Sequence, residues 1–246
     1  MRLLLSFRAI HNQIHDPYYH YKTQAFLYSL IRDTEFDTIH DSHPTKQTAT
    51  PFCFSNIFPH RDMKDGDKKS LLISSPSSKL INVMADSLKQ RKVVGIGNME
   101  FVLDNVKKFN LQLKPPYRFI TSTPTIIRVH KSVYTQFETE TKHPYEYVFW
   151  RKDHALEMFL KQAELNLKTK FEKFYGKETK NLLKFTKFIF KKELPIKIQM
   201  KDQKTFTVFA SFWEFWFEEE NELIKFGLDA GFGERNRLGF GFLNPS

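Results

Sequence analysis

Short apolar runs separated by polar punctuation dominate the first half of the chain. Arg2 to Ile10 reads as a strand. Asp16-Pro17 then opens a helix, with Asp16 as N-cap and Pro17 at the first helical position, where a backbone N–H is not needed. That helix runs from Tyr18 to about Asp33, with Leu27, Leu30 and Ile31, helped by Phe26, as its apolar stripe. Tyr28 lies beside the stripe, as a core tyrosine or with its hydroxyl toward a neighbouring surface. Residues 34–50 show neither a helical nor a strand period. A polar loop of that length inside a compact domain favours a functional role. Pro51 to Phe58 and Lys69 to Ser74 read as strands, with a charged turn at Asp65-Gly66-Asp67 between them. Ser75-Pro76 repeats the cap-then-proline signal before a helix carrying Leu80, Ile81, Met84 and Leu88 at helical spacing. Val93 to Val106 is strand-like and interrupted by Gly95 and Gly97. The order is β-α-β-β-α-β, a ferredoxin-like unit.

Lys114-Pro115-Pro116 marks a boundary, because consecutive prolines break both helix and central strand. Beyond it, Tyr117–Ile120 and Thr125–Val129 read as strand. Asp153 caps a helix with Leu156, Phe159, Leu160, Ala163, Leu167 and Phe171 on one face, stopping at Gly176. Leu182–Phe190, Ile196–Met200 and the aromatic Thr205–Phe217 follow as strands. A short helix from Glu219 to about Asp229 precedes a glycine-rich loop and a last strand, Leu238–Leu243. The second half thus repeats the first in outline. The expected fold class is α+β, with two tandem ferredoxin-like (RRM-like) domains of antiparallel sheets, 1–113 and 114–246.

Length and composition agree with this picture. The chain has 246 residues, 41% of them hydrophobic and 26 of them Phe, enough to fold cores. It contains no run of about 18 apolar residues, so no membrane span is expected, and the apolar run near Met1 is too short for a signal peptide. A single cysteine, Cys53, excludes an internal disulfide and fits a cytoplasmic protein. The net charge of +10 is unevenly placed. Residues 161–192 hold ten lysines against three glutamates. Such a field attracts nucleic acid, anionic membrane or an acidic partner, and nucleic acid is the commonest of these at a pI near 9.5.

The candidate chemistry is sparse. One cysteine cannot build a zinc site, and the histidines lack a His-Glu-x-x-His pattern, so neither metal nor cofactor is expected. No Walker loop or Gly-x-Ser-x-Gly elbow is present. Four of the nine glycines sit within eleven residues at 231–241, flanking Arg235, Asn236 and Arg237. Glycine lets another backbone approach and arginine suits phosphate, so this tail reads as a polyanion cradle or as a plain turn before a strand. His40, His43 and Lys46 share one loop, next to the helix carrying Tyr28. Histidine suits proton transfer near neutrality and lysine suits a developing phosphorane charge. Together they match metal-free RNA cleavage by the substrate's own 2′-hydroxyl.

The tail Gly231-Phe232-Gly233-Glu234-Arg235-Asn236-Arg237-Leu238-Gly239-Phe240-Gly241 resembles the C-terminal signature of the CRISPR repeat-processing endoribonucleases, the sixth Cas family, within the RAMP (repeat-associated mysterious protein) superfamily. Gln24-Ala25-Phe26-Leu27-Tyr28, Ile39-His40-Asp41, Pro51-Phe52-Cys53-Phe54-Ser55 and Ser122-Thr123-Pro124-Thr125-Ile126-Ile127 resemble further stretches of that family. The resemblance implies His40 as general acid or base, Tyr28 as its partner and Lys46 beside the scissile phosphate. The chain lacks the glycine that often follows the histidine in the family, which keeps His43 as a second candidate. It also implies that Gly231, Gly233, Arg235, Asn236, Arg237, Gly239 and Gly241 contact RNA. The implied partner is CRISPR repeat RNA, with other effector-complex subunits or a second copy of the chain as further partners. A non-catalytic RNA-binding subunit of the same superfamily is the alternative.

Overall fold

Leu3, Leu5 and Phe7 point from β1 (Arg2–Ala9) into a first core and are wholly buried, while Ser6 and Arg8 face the opposite way. This period of two fixes the register of the strand. The computed structural model describes residues 1–40, 50–137, 145–200, 202 and 204–246. After β1 come α1 (Tyr19–Ser29), a 3₁₀ turn (Asp37–His40), β2 (Cys53–Phe54), β3 (Lys68–Ser74), α2 (Ser78–Lys89), β4 (Val93–Ile96) and β5 (Met99–Phe109). They form an antiparallel sheet in the order β2-β3-β1-β5-β4. One core joins β1, β3 and β5 to α1 and α2, and Leu80, Ile81, Met84 and Leu88 are all fully buried in it. With β4 taken as the outer arm of a hairpin, this is the expected ferredoxin-like order.

The second unit contains β6 (Tyr117–Thr121), β7 (Arg128–His130), α3 (Lys131–Tyr134), β8 (Tyr147–Phe149), α4 (Leu156–Tyr175), β9 (Phe185–Gln199), β10 (Thr205–Phe217), α5 (Glu222–Ala230), a 3₁₀ turn (Asn236–Leu238) and β11 (Leu243–Pro245). Its main sheet runs β11-β6-β10-β9, again antiparallel, with α4 and α5 sharing its core. A bulge between Phe212 and Trp213 changes which face of β10 is buried. Trp213, Phe215 and Phe217 therefore pack on the α4/α5 side, whereas Val208 and Ala210 join Ile126, Ile198 and Phe240 in a small separate core beside the glycine-rich loop.

Several boundaries differ from the sequence expectation. The carboxylate of Asp16 accepts from Tyr18 N in a tight turn, so α1 starts at Tyr19 and lacks a side-chain cap. Ser77, not Ser75, caps α2, its hydroxyl accepting from Leu80 N. α4 starts at Leu156 without a cap from Asp153. Leu182–Phe190 and Ile196–Met200 merge into the single β9, which runs through Pro195 because β9 is an edge strand, where a missing N–H is tolerated. The last strand starts at Leu243 rather than Leu238, since residues 236–238 wind into a 3₁₀ turn. No described helix is long and apolar enough to cross a membrane.

Candidate functional site

The glycine-rich loop is a joint between the two units. Gly241 adopts φ +71°, and a Cβ there would lie 1.8 Å from Phe232 O, so no side chain fits. Phe232 N donates to Gly241 O at 2.8 Å and Gly241 N to Pro124 O at 2.9 Å, which closes the loop onto the start of the second unit. Inside it, buried Asn236 donates through Nδ2 to Phe232 O and Phe240 O, at 3.1 and 2.9 Å. Lys170 reaches in from α4 and donates to Gly231 O (2.7 Å), Gly233 O (2.9 Å) and Asn236 Oδ1 (2.9 Å). Its stem is half-exposed but its ammonium is enclosed. Burial pulls the group down to about 7, with Cys53 and Glu234 opposing. Three acceptors match the three N–H bonds of the charged form. One of the ten lysines of the 161–192 field is therefore the internal pin of the loop.

The first unit grips the other side of the loop through α1. His20, Gln24 and Tyr28 are spaced by four residues and so share one helical face. His20 Nδ1 lies 2.8 Å from Leu238 O, and since a carbonyl only accepts, Nδ1 carries the proton. Burial lowers the imidazole to about 4, and the ring stacks on Phe240 at 4.7 Å. Gln24 Nε2 donates to Arg237 O at 3.0 Å. The Tyr28 hydroxyl hydrogen-bonds Arg237, and the ring meets Phe52 edge-on at 6.0 Å. Burial raises the Tyr28 hydroxyl above its ordinary value, with Arg237 opposing, so at neutral pH it is protonated. Next to this contact, Cys53 Sγ donates to Phe240 O at 3.2 Å, and burial pushes the thiol up to about 12, which makes it inert.

The guanidinium of Arg237 crosses from the second unit to the first. Nη1 donates to Ile39 O at 2.7 Å and Nη2 to Thr50 O at 3.2 Å. Ile39 is buried and immediately precedes His40, whose backbone closes the 3₁₀ turn. His43 and Lys46 lie outside the described residues. Arg235, two residues before Arg237, has the opposite surroundings. It is exposed, sits in the left-handed region at φ 55°, and stacks its guanidinium 4.9 Å from the Phe206 ring centroid. The remaining loop glycines, Gly231, Gly233 and Gly239, are buried with Asn236. Among the described residues no group of three or more His, Cys, Asp or Glu converges as a metal site.

Two features of the joint were not anticipated. The His20, Gln24, Tyr28 spacing is visible in the sequence as a polar stripe beside the apolar one, but nothing local says what it meets. Lys170 falls on the same helical stripe as Ala163, Leu167 and Phe171, all of them buried, and that position is the signal that separates it from its neighbours.

The model of a known family, described as CRISPR associated protein Cas6, C-terminal, matches residues 111–245. The chain is 33% identical to a Methanocaldococcus jannaschii protein named CRISPR-associated endoribonuclease Cas6 2, over 100% of this chain and 99% of that relative. A Haloferax mediterranei protein named CRISPR-associated endoribonuclease Cas6 is 28% identical over 99% of this chain and 93% of its own length. A solved structure described as CRISPR associated protein Cas6 superposes with a TM-score of 0.71 at 23% identity, covering 100% of this chain and 99% of the other. Another, described as an RAMP protein binding different RNA substrates, gives a TM-score of 0.74 at 18% identity over 100% of this chain and 99% of its own. The structural likenesses establish the shared tandem fold. With the family model over the second unit and the full-length likeness beside it, the chain belongs to the Cas6 family of CRISPR-associated proteins.

Proposed function

We propose that this chain is an endoribonuclease that cleaves CRISPR repeat RNA in precursor transcripts, releasing guide RNAs, without a metal ion. The 2′-hydroxyl at the scissile position loses its proton and attacks the adjacent phosphorus. The bond to the 5′-oxygen breaks and that oxygen is protonated, leaving a 5′-hydroxyl and a 2′,3′-cyclic phosphate. His40 is the general base or acid, with His43 as second candidate, and Lys46 offsets charge on the phosphorane. Tyr28, held protonated, acts as a donor that positions the sugar-phosphate rather than as a base. The unit 1–113 carries this cleavage loop and the unit 114–246 the glycine-rich loop.

The observation that supports this reading most is the meeting at Arg237 of Tyr28, Ile39 and Thr50. It brings the helix tyrosine to both ends of the segment that holds His40, His43 and Lys46. Arg235 is the loop arginine that faces solvent, and we assign it to an RNA phosphate, while the buried glycines and Asn236 shape the loop that presents it. Exposed Lys187 and Lys192 lie over the rings of Trp216 and Phe212, at 4.9 and 5.0 Å from the centroids. Cation and aromatic face together suit a single-stranded backbone and its bases. Repeat RNA is thus the main partner, and assembly with other effector subunits or with a second copy builds on that complex in the cytoplasm.

The test is incubation with repeat RNA in EDTA, with analysis of the product ends. Full cleavage, a cyclic phosphate or its ring-opened form, and loss of cutting when the scissile nucleotide is 2′-deoxy are expected. A requirement for divalent metal, or unchanged cutting of the 2′-deoxy substrate, overturns the mechanism. Tight binding without any product favours the non-catalytic RNA-binding role instead.

A further inference from the structure

Arg237 looks, in sequence, like the twin of Arg235, yet its bonds within the protein are of another kind. Its guanidinium donates to Ile39 O and Thr50 O, and it also bonds the Tyr28 hydroxyl. Its backbone carbonyl is held separately by Gln24. Its Cζ lies 6.0 Å from the centroid of Phe52, two residues beyond Thr50. Ile39 and Thr50 flank residues 40–49 in the chain. The two terminal nitrogens of one rigid fork therefore bring these two carbonyls close together. Lysine presents a single point charge on a flexible stem and cannot hold two carbonyls in a fixed plane. The fork is itself fixed at its base by the 3₁₀ turn, which α1 holds through Leu238 O and Arg237 O.

We infer that Arg237 is a positioning residue for cleavage: it pins both ends of the 40–49 segment and so sets the placement of the reacting side chains, rather than serving as an RNA phosphate contact. This rests on the reading of the chain as an RNA-cleaving enzyme with its chemistry in that segment. A misplacement of about 1 Å in such a group costs on the order of a hundredfold in rate. The charge that binds the polyanion comes from other residues, so the affinity for RNA is independent of Arg237.

The experiment compares Arg237→Lys, Arg237→Ala and Arg235→Ala with the unaltered protein on the same repeat RNA. Single-turnover rate at saturating protein, Kd, and the salt dependence of Kd are measured for each. Arg237→Lys is expected to cut on the order of a hundredfold more slowly, with Kd and the salt slope unchanged. Added guanidinium ion at millimolar concentration is expected to restore part of the Arg237→Ala rate. Arg235→Ala is expected to weaken Kd and to lower the salt slope by about one. Arg237→Lys that loses affinity and salt slope but cuts at the normal saturated rate overturns the inference, as does a variant identical to wild type in both. A readout independent of cutting is amide hydrogen exchange. Faster exchange in the stretch 39–52 of Arg237→Lys, with an unchanged melting midpoint, supports the pin even if the unaltered protein cuts nothing. Unchanged exchange there removes it. In that way failure of the nuclease reading and failure of this inference are told apart.

Discussion

The two units share one strand order but differ in where each departs from it. In the first, the link from α1 to β2 carries His40 and His43 in its sequence. In the second, β7, α3 and β8 lie between β6 and α4, and the insertion that faces the first unit comes later, between α5 and β11. The two insertions meet at Arg237 and α1. The sheets and helices supply two platforms, and the chemistry proposed above falls where the repeated topology is broken. On the proposed function, the first unit carries the reacting groups while the second carries the loop that presents Arg235 and a basic face.

The comparison is sharpest at the glycines. Gly241 and Gly176 have nearly the same backbone, φ +71° and +68°, but Gly176 has open space where a Cβ would go and Gly241 has Phe232 O. Gly176→Ala is expected to cost about 1–2 kcal/mol, the strain of a left-handed residue alone. Gly241→Ala adds a backbone clash, and a loss above about 4 kcal/mol is expected, read as a drop of roughly ten degrees or more in Tm. Equal losses in the two variants break the claim that the joint is built by close approach.

Acid should loosen the same joint. His20 titrates near 6.5 when unfolded and at about 4 when folded, because burial disfavours its charged form. Between those values the unfolded chain binds more protons. The contribution is complete above pH 6.5 and is lost as pH falls toward 4, by about 3 kcal/mol. Denaturant melts of the wild type and His20→Gln across that range check it, and the variant should show the shallower decline. Lys170→Met should cost about 2 kcal/mol, since three loop acceptors lose their donor while the stem still packs. On the basic face the expected effects are smallest. Lys187→Ala and Lys192→Ala should each weaken RNA binding modestly and lower the salt slope by about one, leaving the saturated cutting rate intact.

Much of the fold was legible because its signals are local. Leu80, Ile81, Met84 and Leu88 declare the buried side of α2, and Gly176 marks the end of α4 by taking a left-handed conformation. The strand orders followed from the succession of elements. What escaped was decided by position in the finished structure. Pro195 looks like a strand break but lies on an edge. Leu238 looks like the start of a strand but is wound into a turn with Asn236, its N–H bonded to Arg235 O. Of the candidate site, the position of Tyr28 beside the apolar stripe of α1 and the glycine loop after α5 were legible, but their mutual contact was not. Arg235 and Arg237 are chemically identical in sequence, and only the neighbours across the joint distinguish the solvent-facing one from the one that holds Ile39 and Thr50.

The central claim is a division of labour, in which the first unit cuts and the second holds. Its most direct measurement is cleavage and equilibrium binding of one repeat RNA by His40→Ala in EDTA. The account predicts a Kd within about twofold of wild type and a single-turnover rate lower by at least about a hundredfold, the usual weight of a general acid or base. Cutting at the wild-type rate by that variant would contradict it.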